Sequence, residues 1–323
     1  MSRFVERLVT GLRWRRDAAL QWLCGRAARI GPRFRIHAHW PWPLSKPWQR
    51  KRLSLYPIEG GVGDELMCLP ILAEIKRRNP ACEITFHCRN LELFEGNPHV
   101  DCLKKLERDR MPAGYGLIYR NAKPPPRPLM TLMAECVGLR LGRGVFRKPD
   151  LADVSGHVRD TVDGISGAFV AVQPRAGHWT PNKQWPIEQW REVIRELVEE
   201  VDVVELGGES VFEEPPGGRF HDLTGRTSLT DVSHIMSQAV VFAGLPSSGM
   251  HFAAMWGVPS VVVFSGYESP AGYDYPFFRV FHDPPECAPC WLTTPCPHDL
   301  KCLNGIKATE IAAAVREAVN REG

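Results

Sequence analysis

The chain has 323 residues, of which 44% are hydrophobic, 24% charged and 9% aromatic. This length and composition predict a folded globular protein of about two domains, and they exclude disordered, collagen-like and small disulfide-rich classes. No apolar run approaches the roughly 20 residues of a membrane-spanning helix. The many arginines among the first thirty residues also argue against a secretory signal peptide.

The net charge of +3 conceals a basic N-terminal arm. Residues 1–52 carry thirteen lysines and arginines against two acids, a local charge of +11, whereas the remaining 271 residues carry a charge of −8. Apolar residues recur there at three- and four-residue spacing, which predicts a basic amphipathic helix. Half of the ten tryptophans lie within the first 48 residues. Arginine with tryptophan favours contact with an anionic membrane surface. A helix packed on the body or a floppy arm is the alternative, and nucleic acid is not expected because no recognisable binding module accompanies the arm.

A strand–turn–helix rhythm begins after the arm. Strands are predicted at 53–58, 83–88, 116–119, 169–172, 201–206, 240–243 and 260–264. Helices are predicted at 65–78, with a kink near Pro70, and at 187–200, 228–237 and 248–256. A polar stretch at 148–167 resembles a join between two lobes. The pattern predicts an α/β protein with two doubly wound parallel sheets and a ligand in the cleft between them.

A glycine-rich loop joins the first strand to the first helix. Gly60, Gly61 and Gly63 allow another group to approach closely, but their spacing matches neither the dinucleotide fingerprint nor the P-loop. Asp64 follows them at the start of the helix. It is either an N-cap for that helix or a cleft-facing general base, and the residues alone favour the cap.

Two later segments could bind an anion. The first follows the strand at 169–172 and carries Thr180 and Lys183, whose ammonium could neutralise a diphosphate or could simply be solvated. The second contains Ser247, Ser248, Gly249 and His251 at the start of a helix, where free backbone N–H groups, hydroxyls and the helix dipole favour an anion. The alternatives are that Ser247 is an N-cap and that His251 is a packed helix residue.

The ten cysteines fall into two groups. Six are scattered singly (Cys24, Cys68, Cys82, Cys88, Cys102 and Cys136), and we expect buried thiols in a reducing compartment. The other four are Cys287, Cys290, Cys296 and Cys302. Four cysteines within sixteen residues are typical of structural zinc, with free thiols or a local disulfide as alternatives.

Five motifs occur together in a recognisable order. They are Gly-Gly-Val-Gly-Asp-Glu-Leu at 60–66, Phe-Glu-Gly-Asn-Pro-His-Val-Asp at 94–101, Asn-Lys-Gln-Trp-Pro at 182–186, Leu-Thr-Gly-Arg-Thr-Ser-Leu at 223–229 and Ser-Gly-Met-His-Phe-Ala-Ala-Met-Trp-Gly-Val-Pro at 248–259. The chain resembles glycosyltransferase family 9 over residues 53–320, and in particular the heptosyltransferases that build the lipopolysaccharide inner core.

The resemblance implies a GT-B fold, with two Rossmann-like domains facing each other across a cleft. It implies that Asp64 is the catalytic base, that Lys183 contacts the donor diphosphate, and that Ser247 to His251 form the donor-phosphate loop. These roles predict a single inverting displacement in which fixed positive groups replace a metal, so that no cofactor is required for catalysis. One departure is Pro246, which stands where the family usually has an acid that contacts donor-sugar hydroxyls.

The expected protein is therefore a glycosyltransferase that moves a sugar, heptose by analogy, from an ADP-sugar to a lipid-linked saccharide. Pro246 keeps two alternatives open: a different nucleotide sugar, or a non-catalytic homologue that binds a glycan or nucleotide. The expected location is the cytoplasm, peripherally on the inner face of the cytoplasmic membrane. The predicted organisation is an arm at 1–52, an acceptor-side domain at 53–160, a donor domain with a Cys-rich tail at 161–305 and a final helix at 306–323.

Overall fold

The computed structural model of the chain describes residues 46–107, 111–119, 125, 127–141 and 154–322. The predicted amphipathic helix of the arm and Cys24 lie outside the described residues. Among the helices of the described ranges, none is long and apolar enough to cross a membrane.

The first half of the chain forms a parallel sheet of four strands in the order β3-β2-β1-β4. The strands are β1 (Arg52–Pro57), β2 (Glu83–Cys88), β3 (Cys102–Lys105) and β4 (Tyr115–Leu117). Leu53 and Leu55 of β1 are buried, and they lie opposite Ile84 and Phe86 of β2. The strands predicted at 53–58 and 83–88 are confirmed.

The helix predicted at 65–78 is two helices. They are α1 (Val62–Leu66) and α2 (Leu69–Arg78), and a third helix in this half is α3 (Leu129–Glu135). The break between α1 and α2 has its cause in Pro70, which lacks the N–H that a continuous helix would need and which occupies the first turn of α2 instead. The start of α1 before Glu65 places Asp64 inside a helix rather than in a loop.

The second half forms a parallel sheet of six strands in the order β10-β9-β8-β5-β6-β7. The strands are β5 (Phe169–Gln173), β6 (Asp202–Glu205), β7 (Phe220–Asp222), β8 (Val241–Gly244), β9 (Ser260–Phe264) and β10 (Arg279–His282). Strand β5 pairs with β6 on one side and β8 on the other, so the strand order reverses beside it. The crevice at the carboxyl ends of such strands is where parallel sheets bind ligands.

Five helices accompany this sheet and the join that precedes it. They are α4 (Gly156–Asp163), α5 (Ile187–Leu197), α6 (Leu229–Gln238), α7 (Ser248–Trp256) and α8 (Ala308–Glu322). Helix α8 packs on α5, and α6 packs on α7. Helix α4 lies in the stretch predicted as a polar join, and the proposed domain boundary at 160/161 falls inside it.

The two halves meet where α1 packs against α7. Helix α7 is nearly all apolar and is buried along most of its length, because it lies between its own sheet and the first half of the chain. The largest core cluster therefore contains residues of both sheets, whereas a second cluster fills the space between the six-stranded sheet, α5 and α8. The prediction of two doubly wound α/β units is confirmed.

The singly placed cysteines are mostly buried, as expected. Cys68, Cys82 and Cys88 are buried, and Cys136 is partly buried. Cys102 is exposed, so the expectation was wrong there: it begins β3, a short strand at the edge of the first sheet.

Candidate active site

Asp64 is the third residue of α1, which follows the short glycine-rich loop after the carboxyl end of β1. Its Oδ2 accepts a hydrogen bond from the backbone N–H of Gly61 (2.8 Å), which is the N-cap position of the helix. Its Oδ1 accepts a hydrogen bond from the hydroxyl of Tyr119 (2.7 Å). Asp64 is thus a capping-box residue at the third helical position and not the N-cap, and a tyrosine from the chain after β4 fixes its orientation.

The glycines of this turn allow close approach by two side chains. A Cβ on Gly60 would lie 1.5 Å from the guanidinium of Arg89, and a Cβ on Gly63 would lie 2.4 Å from the ring of His251. The second contact joins the two halves of the molecule, because His251 belongs to α7. The turn that carries Asp64 therefore lies against the start of α7.

His251 is buried in this contact. Its Nδ1 shares a hydrogen bond of 2.7 Å with the hydroxyl of Tyr275, and the ring lies edge-on to Tyr273. Burial, and to a smaller extent the charge of Lys183, lowers the pKa of His251 to about 3. The imidazole is therefore neutral near pH 7 and packs as a helix residue, as one of the two interpretations predicts, while it also touches the turn that carries Asp64.

A neutral side chain, that of Gln173, lies at the start of α7. The side-chain Oε1 of Gln173 accepts hydrogen bonds from the backbone N–H of Gly249 (2.8 Å) and from the hydroxyl of Ser247 (2.9 Å). The expectation of free N–H groups is wrong for Gly249, and Ser247 holds the N-cap position without a capping hydrogen bond from its side chain. The amide of Gln173 also approaches the Ser248 hydroxyl at 3.5 Å.

Lys183 lies where three loops of the second sheet converge. Its Nζ donates a hydrogen bond to the backbone carbonyl of Pro246 (3.3 Å) and forms an ion pair with Glu268. The ammonium also lies 5.1 Å from the centre of the Tyr267 ring, a cation–π contact. The side chain is only 16% exposed, so the interpretation of Lys183 as a solvated loop lysine is wrong.

Thr180 is committed to the turn that carries Lys183. Its hydroxyl accepts from the backbone N–H of Asn182 (3.1 Å) and donates to the carbonyl of Leu292 (2.8 Å). The amide of Asn182 donates to the carbonyls of Leu292 (2.7 Å) and Thr294 (2.8 Å). Backbone carbonyls of the Cys-rich tail therefore stabilise the turn that carries Lys183. The Thr180 hydroxyl forms its hydrogen bonds with other groups of the protein.

The four cysteines of that tail surround one small cavity of about 60 Å³, together with His298. Among the described residues, however, no group of three or more His, Cys, Asp or Glu side chains is placed to hold a metal ion. The arrangement does not fit the predicted structural zinc at Cys287, Cys290, Cys296 and Cys302.

A larger cavity of about 680 Å³ opens at the carboxyl ends of β5 and β6. Arg175, Thr180, Gly207, Gly208 and Glu209 are among the residues that line it. Gly207 has a φ of +134°, a conformation that favours glycine. The sequence interpretation did not assign Arg175 or Glu209 a role, although a Gly-Gly pair directly after a strand was a signal for this site.

The arrangement has the parts needed for displacement at a phosphorylated carbon. A carboxylate on α1 can accept a proton. An ammonium and the start of α7 lie in the other half of the molecule, and a cavity of about 680 Å³ opens beside the turn that carries the ammonium. Positive groups stabilise a departing diphosphate in proportion to how well they are fixed in advance, and Lys183 is fixed by three partners.

The model of "Glycosyltransferase family 9 (heptosyltransferase)" matches residues 130–272. The resemblance to this family is confirmed. The similarity to this family covers that segment, which is less than half of the chain. The matched segment includes Lys183, Pro246 and His251. It begins after Asp64, which therefore lies outside it. The search of curated proteins finds no match.

Three solved glycosyltransferases have a fold similar to that of this chain. The iron-containing dodecameric glycosyltransferase TibC of enterotoxigenic E. coli is 16% identical with a TM-score of 0.65, over 86% of this chain and 77% of TibC. The E. coli ADP-heptose lps heptosyltransferase II is 15% identical with a TM-score of 0.61, over 84% and 99% of the two chains. A family 9 glycosyltransferase from Veillonella parvula is 15% identical with a TM-score of 0.62, over 86% and 99%. The predicted GT-B fold is confirmed.

Proposed function

We propose that this glycosyltransferase transfers heptose, with inversion, from ADP-heptose to a lipid-linked saccharide of the lipopolysaccharide core type. The observation that carries the proposal is the convergence of Asp64 on α1 with Lys183 and the start of α7. A single displacement needs a base on one side of the reacting carbon and groups that stabilise the leaving diphosphate on the other.

In the proposed reaction Asp64 removes the proton of an acceptor hydroxyl. The hydroxyl oxygen attacks the anomeric carbon and forms the new glycosidic bond, while the bond to the diphosphate oxygen breaks with its electron pair. Lys183 and the start of α7 take up the charge that develops on the diphosphate. For the N–H of Gly249 to contribute, Gln173 has to move aside when a phosphate arrives.

The donor assignment has support from similar proteins and from the cavity. A TibC structure contains ADP-D-beta-D-heptose, and a WaaC structure contains ADP. The cavity beside Gly207 and Gly208 is of the size of small-ligand sites and opens next to the Lys183 turn. Because Pro246 lacks a carboxylate, a different nucleotide sugar remains the alternative donor.

We also propose that transfer needs no added metal or cofactor, because Lys183 and α7 supply the positive groups. A chelator should then leave the rate unchanged, and a rate that falls with chelator and returns with a divalent cation would contradict this.

The acceptor and the location follow from the arm, which we propose binds the anionic inner face of the cytoplasmic membrane. A lipid-linked acceptor is reached more easily by an enzyme held at that surface. Deletion of residues 1–45 should move the protein from the membrane fraction to the soluble fraction. Unchanged fractionation would contradict the membrane role of the arm.

The first experiment compares binding of ADP, UDP, GDP and CMP by thermal shift, since a ligand that binds only the folded state raises its stability. We expect a selective shift with ADP, followed by transfer from ADP-heptose. Asp64→Asn should lower kcat by roughly 10²- to 10⁴-fold and leave ADP affinity unchanged, because Asn retains an acceptor for the Gly61 N–H but cannot take a proton. A shift with another nucleotide would favour the alternative donor. No shift would favour a binding-only homologue.

A further inference from the structure

Glu268 is a buried acid in the loop that follows β9. It is 4% exposed, and its Oε2 accepts a hydrogen bond from the Tyr273 hydroxyl (2.7 Å). Its Oε1 forms an ion pair with the ammonium of Lys183. An ionised carboxylate has about four lone-pair sites, so Glu268 can also accept a hydrogen bond from a ligand.

The position of Glu268 is defined by its neighbours on two sides. On one side, Lys183 lies between Glu268 and the carbonyl of Pro246, so the loops after β5, β8 and β9 meet at one ammonium. On the other side, the Tyr273 ring centre lies 5.7 Å from that of His251. His251 in turn touches Gly63, one residue before Asp64. A chain of contacts therefore connects Glu268 with the cation on one side and with the turn that carries the carboxylate base on the other.

This position follows the order of groups in an activated sugar. The sugar is joined directly to the terminal phosphate of its nucleoside diphosphate, and the acceptor hydroxyl attacks the carbon that bears that phosphate. With the diphosphate at Lys183 and the acceptor hydroxyl at Asp64, the sugar occupies the space between them. We place Glu268 beside that space because its carboxylate contacts Lys183 and also Tyr273, the neighbour of His251. Sugar hydroxyls are donors that a carboxylate accepts strongly.

Residue 246 cannot fill the same role. Proline offers only its backbone carbonyl, and that oxygen already accepts from Lys183 at 3.3 Å. The carboxylate that faces this ammonium comes from the loop after β9, the strand next to β8, and not from the loop after β8.

We propose that Glu268 is a donor-sugar-binding residue, which accepts hydrogen bonds from sugar hydroxyls while Lys183 turns from Glu268 to the diphosphate. The inference rests on the proposed function and adds a residue that recognises the sugar. It places sugar recognition on the β9 loop and nucleotide recognition on the β5 and β6 loops.

The test is the ratio of the dissociation constants for ADP and ADP-heptose, measured by calorimetry on the full chain and on Glu268→Gln. Glutamine keeps the size of the side chain but removes its charge. We expect this ratio to fall by roughly tenfold to a hundredfold in the variant, because hydrogen bonds to a charged group contribute about 1.5–3 kcal/mol. ADP alone should bind as tightly as before or more tightly, because Lys183 is released.

Two control variants separate sugar binding from folding. Glu286→Gln changes an exposed acid and should leave the ratio unchanged. Tyr273→Phe removes the hydroxyl that donates to Glu268 but keeps the carboxylate, so the ratio should stay within about threefold. If Glu268→Gln does not fold, Glu268→Asp keeps the charge on a shorter stem and should lower the ratio less.

The outcomes distinguish the inference from the proposed function. An unchanged ratio in Glu268→Gln, or equal weakening of both ligands, would overturn the role of Glu268 while leaving ADP-sugar binding intact. Failure of the unmodified chain to bind either ligand would overturn the proposed function itself. A selective loss for ADP-heptose supports both.

Discussion

At the scale of single residues, the orientation of Asp64 is the feature that bears most directly on catalysis. One oxygen is held by a backbone N–H within its own helix, and the other by a tyrosine 55 residues away. Tyr119 is itself buried, so its hydroxyl is directed at the carboxylate by packing and not by chance. We infer that Tyr119 is a positioning residue for the proposed base.

Tyr119→Phe should lower kcat by about tenfold, the equivalent of roughly 1.4 kcal/mol, because the carboxylate loses one of the two donors that fix its orientation. The KM for the donor should not change, since Tyr119 is placed at the base and not at the diphosphate groups. Steady-state kinetics with varied donor checks this. Tyr115→Phe, a tyrosine of β4, is the matched control. Equal loss in the control, or a raised donor KM with unchanged kcat, would contradict the assignment.

The sequence predicted the residues of the site better than their partners. Asp64 and Lys183 follow strands of parallel sheets, and the carboxyl ends of such strands are where ligands bind. Tyr119 is 55 residues from its partner Asp64, and Gln173 is 76 residues from its partner Gly249. Glu268 is likewise remote from Lys183 along the chain. No local spacing relates a residue to a partner that only the folded sheet brings near. The occupied N–H of Gly249 could not be foreseen for this reason.

At the scale of elements, α1 is only five residues long and is held in place by a buried anchor. Glu65 is fully buried and accepts hydrogen bonds from the backbone N–H groups of Arg89 and Asn90 and from the amide of Asn90. Burial raises the pKa of Glu65, although these donors act in the opposite direction. Since Asp64 is the preceding residue, this anchor fixes the helix turn that carries the proposed base.

Glu65→Ala should lower the free energy of unfolding by about 2 kcal/mol, because three partly buried donors lose their buried acceptor. At the size of this domain that corresponds to roughly 5 °C in Tm. Transfer should fall as well, because α1 is no longer tied to the chain after β2. Thermal unfolding and kinetics measure the two effects, and Glu95→Ala, an exposed acid nearby, should show neither. A variant with lower Tm but full activity would contradict the claim that Glu65 holds the proposed base in position.

The elements predicted best were those with long and regular patterns. Helix α7 and strand β9 were confirmed residue for residue, and α5 to within three residues at its end. The strands β3, β7 and β10 were not predicted, since each has only three or four residues and partly exposed side chains. Short strands of this kind are set by pairing with a neighbour, which a single sequence does not display.

At the scale of the whole molecule, the contact between α1 and α7 depends on a neutral His251. Its pKa is lowered to about 3, first by burial and then by Lys183, whereas the unfolded chain titrates near 6.5. Between these values the unfolded state binds a proton that the folded state does not, so stability falls as pH falls below about 6.5. Urea unfolding between pH 7.5 and 4.5 should show this loss, and His251→Gln should show a smaller slope. Parallel slopes would contradict it.

The same contact explains why position 63 is glycine. A Cβ there would lie 2.4 Å from the His251 ring, which is buried and hydrogen-bonded to the Tyr275 hydroxyl. Alanine favours a helix by up to about 1 kcal/mol over glycine, so Gly63→Ala should stabilise α1 if packing against α7 did not matter. We expect the opposite: a loss of about 1–3 kcal/mol from overpacking, with reduced transfer as the halves are forced apart.

A double-mutant cycle decides between these effects. His251→Ala removes the ring, so the Gly63→Ala change should cost little in that background, and the coupling energy between the two sites should reach at least about 1 kcal/mol. Gly156→Ala, where a Cβ meets no atom within 4 Å, controls for helix propensity alone. Additive costs would mean that the halves move apart without penalty. Coupled costs would show that the turn of Asp64 and the start of α7 are held at a fixed distance, as the proposed transfer requires.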